Sequence, residues 1–164
     1  MHKGSKKESM GIHMEIRELI FRGFHPCDGP ETIAVDGEKV KGRWVQGYFF
    51  QIWERTYILW GTTNDVPNMI EVLPSTVGQY TGLTDNTGKK VYEGDVLKIA
   101  KAMDGMGGYY FPPLEYPVKV EVKWDLCGWM WETLGENKYY IGFPDAWGHY
   151  TCEVIGTVFD EGNQ

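Results

Sequence analysis

Apolar and polar residues alternate along most of the chain, which is the period of a β-strand. The segment EIRELIFRGF, from Glu15, shows this alternation without a helical stripe and predicts an opening strand, and HPCDGPET after it predicts a turn. The segment GRWVQGYFFQIWERTYILWG is rich in aromatic and β-branched residues and predicts two strands that join near Glu54 and Arg55. These patterns indicate a hairpin after an opening strand.

The middle of the chain contains the densest turn signals. TTNDVPN predicts a loop, MIEVL a strand, and Pro74 to Thr76 a turn. In QYTGLTDNTGKKVYEGDVLKI, residues Asp85, Asn86 and Gly88 supply the side-chain capping and positive φ angles of a tight turn. Gly94 is then expected to bend or bulge the chain before the strand DVLKIA.

The last third alternates again after a long interruption. AKAMDGMGGYYFPPLEYP predicts a long loop, VKVEVKWD and GWMWETL a second hairpin, and the segment from Cys152 or Glu153 to Phe159 a last strand. The number and length of these strands predict a mainly β fold, in which an N-terminal β-meander packs against a small, partly open C-terminal barrel of SH3-like type.

The length and composition agree with a single β-rich unit. The chain has 164 residues, of which 21 are Gly and 15% are aromatic, and stretches long enough for helices are scarce after residue 22. We expect residues 1–14 to be a disordered tail and residues 15–162 to form one domain, with an N-terminal β part at 15–80 and a barrel-like part at 81–162.

The net charge of −7 is distributed unevenly. Residues 102–164 contain three lysines and ten carboxylates, so that part accounts for a charge of −7, whereas residues 15–101 contain ten bases and twelve acids. Binding of duplex DNA requires clustered Lys or Arg side chains, so we expect none, and an acidic face also favours solubility. No apolar run is long enough to cross a membrane, and the three cysteines indicate reduced thiols in a cytoplasm.

Three arrangements are candidates for chemistry. His25 and Cys27 could meet His149 and Cys152 in a zinc site, but a buried thiol is the more common role of a single cysteine. Cys–His nucleophilic catalysis would need a neighbour that stabilises a thiolate. Glu93 and Asp95 resemble a paired acid and base, but no third catalytic group is near in sequence, so we interpret both as solvent-facing acids of a turn. We therefore expect no catalytic residue, metal ion or cofactor.

Aromatic and basic side chains form two further groups. The aromatic group has ten members, which could stack on unpaired bases but are better explained by core and subunit contacts: Tyr109, Tyr110, Phe111, Trp124, Trp129, Trp131, Tyr139, Tyr140, Trp147 and Tyr150. Five of them are the predicted interaction surface: Trp129, Trp131, Tyr139, Tyr140 and Trp147. The basic group is either a solvated strand face or a patch for an anionic partner: Arg17, Arg22, Lys39, Lys41, Arg43 and Arg55.

The segment TVGQYTGLTDNTGKKVYEGDVLKI resembles the signature of the YopX family, and GRWVQGYFF and CEVIGTVFDEGNQ resemble the segments that flank it. The residues that carry the resemblance are interpreted as structural: Gly82, Leu83, Asp85, Gly88, Tyr92, Glu93, Gly94 and Asp95. The resemblance implies a phage or prophage protein in a bacterial host and carries over no active site. We therefore expect a non-enzymatic accessory protein that self-associates or binds a phage or host protein, with a nucleic-acid-binding module as the alternative and a small hydrolase or metal enzyme as a third hypothesis.

Overall fold

The computed structural model describes residues 18–100, 117–125, 128–135, 138, 140–142 and 151–160. Within these residues the chain forms eleven β-strands and one short 3-10 turn, arranged in two antiparallel sheets. The prediction of a mainly β fold is therefore confirmed. The predicted tail at 1–14 and the long predicted loop from residue 101 to 116 lie outside the described residues.

The first sheet has six strands in the order β4-β3-β2-β1-β5-β6. A 3-10 turn at Pro74–Thr76 separates the fourth strand from the fifth. The strand bounds are β1 (Phe21–Val35), β2 (Glu38–Ile52), β3 (Arg55–Thr63), β4 (Val66–Glu71), β5 (Gly78–Thr84) and β6 (Lys90–Tyr92). The first four strands follow one another as a meander, as the alternating pattern predicts.

The second sheet has five strands in the order β10-β9-β8-β7-β11. Its strand bounds are β7 (Asp95–Ala100), β8 (Val118–Asp125), β9 (Gly128–Thr133), β10 (Tyr140–Gly142) and β11 (Thr151–Thr157). Among the described strands, β10 and β11 stand at opposite edges, and this sheet does not close on itself. The sheet is thus open, where a partly open SH3-like barrel was predicted. The number and length of the strands alone do not distinguish an open sheet from a barrel.

The segment HPCDGPET does not end the first strand, contrary to the prediction. Pro26 and Glu31 of β1 both pair with Gly42 of β2, so the four residues between them form a bulge inside a continuous strand. Gly29 sits in this bulge, where a Cβ atom would collide with the carbonyl oxygen of Gly42. Pro and Gly signals mark a bulge as readily as a turn, because both disrupt the same ladder.

Two of the three hairpin turns of the meander have two successive left-handed backbone angles. Asp36 and Gly37 join β1 to β2 with φ values of 52° and 80°, and Asn64 and Asp65 join β3 to β4 with 51° and 64°. Two successive positive φ angles match the twist of a tight hairpin, and Asn, Asp and Gly accept them most easily. The predicted loop TTNDVPN is therefore a two-residue turn between strands that extend into it.

The main core lies on one face of the second sheet. Its buried members include Leu97 and Ile99 of β7, Val120 and Val122 of β8, and Val91 of β6, which belongs to the first sheet. Trp129, Trp131, Cys152 and Val154 complete this cluster. Because β6 contributes Val91 to it, the end of the first sheet packs on the face of the second.

The chain passes from the first sheet to the second at Glu93 and Gly94, between β6 and β7. The expected division between residues 80 and 81 falls inside β5 instead. Gly94 has a φ of 77°, which lies in the left-handed region. A Cβ atom at Gly94 would meet its nearest neighbours, Val158 and Phe159, at 3.8 Å, so the constraint at this position is conformational and not one of space.

Replacing Gly94 with alanine is expected to lower the free energy of unfolding by about 1–3 kcal/mol, because a Cβ atom is strained at this φ angle. Urea denaturation followed by tryptophan fluorescence would measure the change. Gly128→Ala is the matched control, since Gly128 has open space around the Cβ position and no left-handed φ. Equal stability of the two variants would contradict a requirement for glycine at Gly94.

Candidate functional site

Asp85 organises the turn between β5 and β6. One carboxylate oxygen, Oδ1, accepts hydrogen bonds from the backbone N–H of Thr87 at 2.8 Å, the Thr87 hydroxyl at 2.7 Å and the backbone N–H of Lys89 at 2.9 Å. Gly88 follows with a φ of 86°. The carboxylate thus takes the place of a backbone acceptor in a turn of the Asx type.

The same turn also fastens the edge of the second sheet. The other oxygen of Asp85, Oδ2, accepts a hydrogen bond from the backbone N–H of Val154 in β11 at 2.9 Å. Asn86 bonds to Cys152 in both directions, since its Oδ1 accepts from the Cys152 N–H at 2.5 Å and its own N–H donates to the Cys152 carbonyl at 3.1 Å. The turn therefore pairs with β11 almost as a further strand would.

The pKa of Asp85 reflects these bonds. The side chain is buried, with 5% of the residue exposed, and burial by itself raises the pKa of a carboxyl group. Hydrogen bonds from Thr87, Val154 and Lys89 outweigh that effect and lower the pKa of Asp85 below its ordinary value. The fold therefore favours the ionised carboxylate at this position.

Hydrogen bonds converge from both sheets on Glu93 and Gly94. Glu93 donates its N–H to the Gln79 carbonyl at 2.9 Å, and its carbonyl accepts from Nη2 of Arg22 at 3.2 Å. Gly94 donates its N–H to the Val122 carbonyl at 2.9 Å, and its carbonyl accepts from the Val158 N–H at 3.0 Å. The crossing between the sheets is thus held on both sides.

A buried ion pair lies beneath this crossing. Nη1 of Arg22 in β1 is 2.5 Å from Oδ1 of Asp95 in β7, and the two side chains are 9% and 1% exposed. The guanidinium carbon lies 4.7 Å from the ring centre of Trp44 and 5.1 Å from that of Tyr92. We call the set Arg22, Tyr92, Glu93, Gly94 and Asp95 the sheet junction.

Burial raises the pKa of two groups in the sheet junction, Asp95 and Tyr92. Burial raises the pKa of Asp95, while Arg22 and the backbone N–H of Tyr92, which donates to Oδ2 of Asp95 at 2.7 Å, act in the opposite direction. Burial also raises the pKa of the Tyr92 phenol to about 12. The Tyr92 phenol is therefore protonated near neutral pH, and Asp95 is bound to Arg22, so the arrangement serves as an attachment between sheets.

Asp95 corrects one sequence prediction. The carboxylates of Glu93 and Asp95 were expected to face solvent, but Asp95 is fully buried and bound to Arg22, and Glu93 is half-buried. Arg22, assigned by its charge to a surface group, is likewise buried. No local pattern marks this pair, because the two residues are 73 positions apart in the sequence.

The thiol and imidazole groups that the structure describes do not form a metal site. Cys152 belongs to the core, where burial, with a contribution from Asp85, raises the pKa of its thiol to about 12. His25 has its Nδ1 atom 2.7 Å from the carbonyl oxygen of Glu71. Across the described ranges, no three His, Cys, Asp or Glu side chains are grouped to hold a metal ion, and His149 lies outside those ranges.

Two of the five residues of the predicted interaction surface are buried. Trp129 and Trp131 are 6% and 1% exposed and belong to the core, so they are not available to a partner. Tyr139, Trp147 and the side chain of Tyr140 lie outside what the structure describes, as do four other members of the aromatic group: Tyr109, Tyr110, Phe111 and Tyr150. Trp124 is about half exposed and packs edge-on against Trp129.

Exposed apolar side chains instead concentrate on β2, β3 and β4. Of the ten large hydrophobic residues that are exposed in the described part of the chain, seven lie between residues 48 and 69. Cross-strand pairing places six apolar residues of these strands on one side of the sheet, because directly opposed residues share a face. We call this surface the ribbon face: Tyr48, Phe50, Ile52, Tyr57, Leu59 and Met69.

A cleft of about 290 Å³ lies beside the sheet junction. It is lined by the 3-10 turn, by Glu93 and Gly94, by the end of β8 and by Val158 and Phe159. Its lysine, Lys123, is engaged by Glu132 at 2.6 Å and Glu121 at 3.1 Å. The described lining has no His or Cys and thus no pair of nucleophile and imidazole base.

Comparison with known proteins identifies the family. The model of the YopX family, described as YopX protein, matches residues 38–163, which is most of the chain. The protein therefore belongs to the YopX family, as the motif in the sequence indicates. The match includes the Asp85 turn, Asp95 and the ribbon face, whereas Arg22 precedes it.

No curated protein matches the chain in a sequence search. In the described portion of the structure, no helix has the length and apolar character needed to cross a membrane.

Asparagine in place of Asp85 is expected to lower the free energy of unfolding by about 1–3 kcal/mol at pH 7, because its amide group cannot accept on both sides and one buried donor loses its partner. Urea denaturation would measure this loss in the free energy of unfolding. Asp36→Asn is the control, since Asp36 is exposed in a hairpin turn and the change should stay within about 0.5 kcal/mol.

The effect of Asp85→Asn should also depend on pH. A carboxylate whose folded pKa is lowered stabilises the fold above its unfolded pKa of about 4 and loses that contribution as the pH falls through the folded value. The difference in the free energy of unfolding between wild type and variant should therefore shrink below about pH 4. Asp95 is present in both proteins, so its own titration cancels in this difference. A difference that stays constant from pH 7 to pH 3 would contradict the assigned role of the carboxylate.

Proposed function

We propose that the protein is an accessory protein of a phage or prophage that acts by binding another protein through the ribbon face, in the cytoplasm of a bacterial host. The observation that carries the proposal is the exposure of Tyr48, Ile52 and Met69 on one apolar face of β2 to β4. An apolar sheet face that remains in water is a typical site of protein association. Among the described cysteines, Cys27 and Cys152 are present as thiols and not as a disulfide, which is consistent with a reducing compartment.

The composition of the ribbon face fits a protein interface. Aromatic residues and methionine are enriched at the centres of interfaces, where charged residues are depleted. Phe50 and Tyr57 stack here with ring centres 5.4 Å apart, and the charged neighbours are Arg55 and Glu71, whose ionic groups lie 3.7 Å apart. The charge of this surface is therefore balanced locally, and a partner needs no strong opposite charge.

The basic group gives little support to binding of nucleic acid. Residues 21–52 contain four basic and four acidic side chains, so this part of the sheet has no net charge. Arg22 is buried in the sheet junction, and Lys41 is paired with Asp28 at 2.5 Å. A surface that neutralises several phosphates needs free and clustered cations.

The perturbed acidic groups likewise give little support to an enzyme. Asp85 and Asp95 are engaged in bonds within the fold. Glu132 binds Lys123 and Lys138, which hold the pKa of its carboxyl group below the usual range. None of these three carboxylates lines the cleft beside the sheet junction. Carboxylates that are fully engaged in this way are structural more often than catalytic.

A photoreactive residue at position 48 is expected to cross-link to a protein in cells that carry the prophage or are infected by the phage. The same residue at position 155 is the control, because Ile155 is also exposed, at 40%, but lies on the second sheet. Mass spectrometry of the adducts identifies the partner. Protein adducts at position 155 and none at position 48 would contradict the proposal.

A titration with labelled duplex DNA separates the proposal from its main alternative. Fluorescence anisotropy at about 150 mM salt should show no binding at sub-micromolar protein, because the bases of residues 21–52 are balanced by an equal number of acids. Tight binding that weakens steeply with added salt would favour a nucleic-acid-binding module instead.

A further inference from the structure

We infer that the ribbon face is occupied by a second copy of this chain, packed sheet against sheet. This inference rests on the proposed function, since it names the partner of the same surface. Isologous association is the most common form of assembly for a soluble protein, and it uses one surface on both copies. The arguments concern the sidedness, the area and the charge of the face.

The two faces of β2, β3 and β4 differ in burial. On the face opposite the ribbon face, Ile58 is fully buried and Thr56 is 3% exposed, although Phe49, which pairs with Ile58, is 40% exposed. On the ribbon face, Tyr48, Met69 and Ile52 are 61%, 56% and 42% exposed. The other three apolar residues of that face, Phe50, Tyr57 and Leu59, are half-buried. The exposed residues are thus large side chains of a strand face that has no covering layer among the described residues.

The ribbon face and the adjoining hairpin tip at Trp53 together expose about half of the area of a typical dimer interface. A large aromatic side chain presents about 150–250 Å². Tyr48 at 61% and Trp53, at the adjoining hairpin tip, at 93% therefore leave roughly 230–390 Å² in water. Adding Ile52 and Met69 brings the apolar area to about half of the ~800 Å² that each partner contributes to a typical interface. Polar atoms at the rim usually supply the rest.

The charge of the face permits two copies to meet in spite of the net charge of −7. The excess of acid lies at residues 102–164, away from these strands in sequence, and the ribbon face has one cation and one anion at its end. Arg55 and Glu71 are both exposed, at 68% and 51% of their side chains. Each copy therefore offers a cation and an anion with which an identical rim can pair.

Packing by the face is favoured over pairing by the edge of β4. This strand stands at the end of the first sheet, so its outer backbone edge lacks a neighbouring strand in the described fold. Pro67 lies within it and has no N–H to donate. Proline is one of the devices that prevent an edge strand from recruiting another chain. The apolar face has no such block.

Sedimentation velocity of the full chain, from about 2 to 200 μM at about 150 mM salt, tests the inference. We expect the wild type to approach twice the mass of one chain as its concentration rises. Met69→Lys should remain at the mass of one chain, with at least a tenfold weaker self-association. Leu19→Lys is the matched control, because Leu19 is 55% exposed against 56% for Met69 but lies outside the ribbon face, and it should dimerise as the wild type does.

A second variant and a check of folding make the outcome decisive. Tyr48→Lys should also give single chains, and circular dichroism should show the same β content and melting temperature for every variant. A wild type that stays monomeric at 200 μM overturns the inference, and so does a dimer that neither Met69→Lys nor Tyr48→Lys weakens. If the wild type is monomeric but position 48 cross-links to a different protein, the second copy is excluded and the protein-binding function stands. If neither occurs, both fail.

Discussion

The buried ion pair between Arg22 and Asp95 is the interaction on which the relation of the two sheets depends. Removing both charges from water is costly, so such a pair persists only where its geometry and its remaining hydrogen bonds are nearly complete. Here the guanidinium also donates to the Glu93 carbonyl and lies against the rings of Trp44 and Tyr92. The pair and its neighbours therefore connect β1, β2 and β6 of the first sheet to β7 of the second.

The family motif contributes Asp95 to this ion pair, and its Asp85 turn makes a second contact between the sheets. Its Asp85 turn bonds to β11, and its Glu93–Gly94 step donates hydrogen bonds to β5 and β8 and accepts one from the segment after β11. Glu93 and Asp95, which resemble a catalytic pair of acids in the sequence, thus make bonds that connect the two sheets. The ribbon face lies in β2 to β4, outside this motif, so the attachment of the sheets and the exposed binding surface are separate features of one chain.

The sequence predicts structure that depends on neighbouring residues, but it does not predict contacts between residues that are far apart along the chain. Alternation and turn residues suffice for most of the strands, for the Asp85 turn and for the bend at Gly94, because these depend on neighbours within a few positions, but they misplace the end of β1. They do not reveal that Arg22 meets Asp95, since the charge of a residue says nothing about its partner across 73 positions. Nor do they separate Trp131, which is buried, from Tyr48, which is exposed, because either face of a strand can be the one that packs.

A double-mutant cycle on Arg22 and Asp95 tests the central claim that this ion pair attaches the sheets. Arg22→Met, Asp95→Asn and the combined variant would be compared with the wild type by urea denaturation. Each single change leaves a buried charge or dipole unmatched and should cost about 3–5 kcal/mol. The combined variant should cost at least about 2 kcal/mol less than the sum, since the two residues are in direct contact. Single effects that add to within about 0.5 kcal/mol would show that the two residues act independently and would contradict the account.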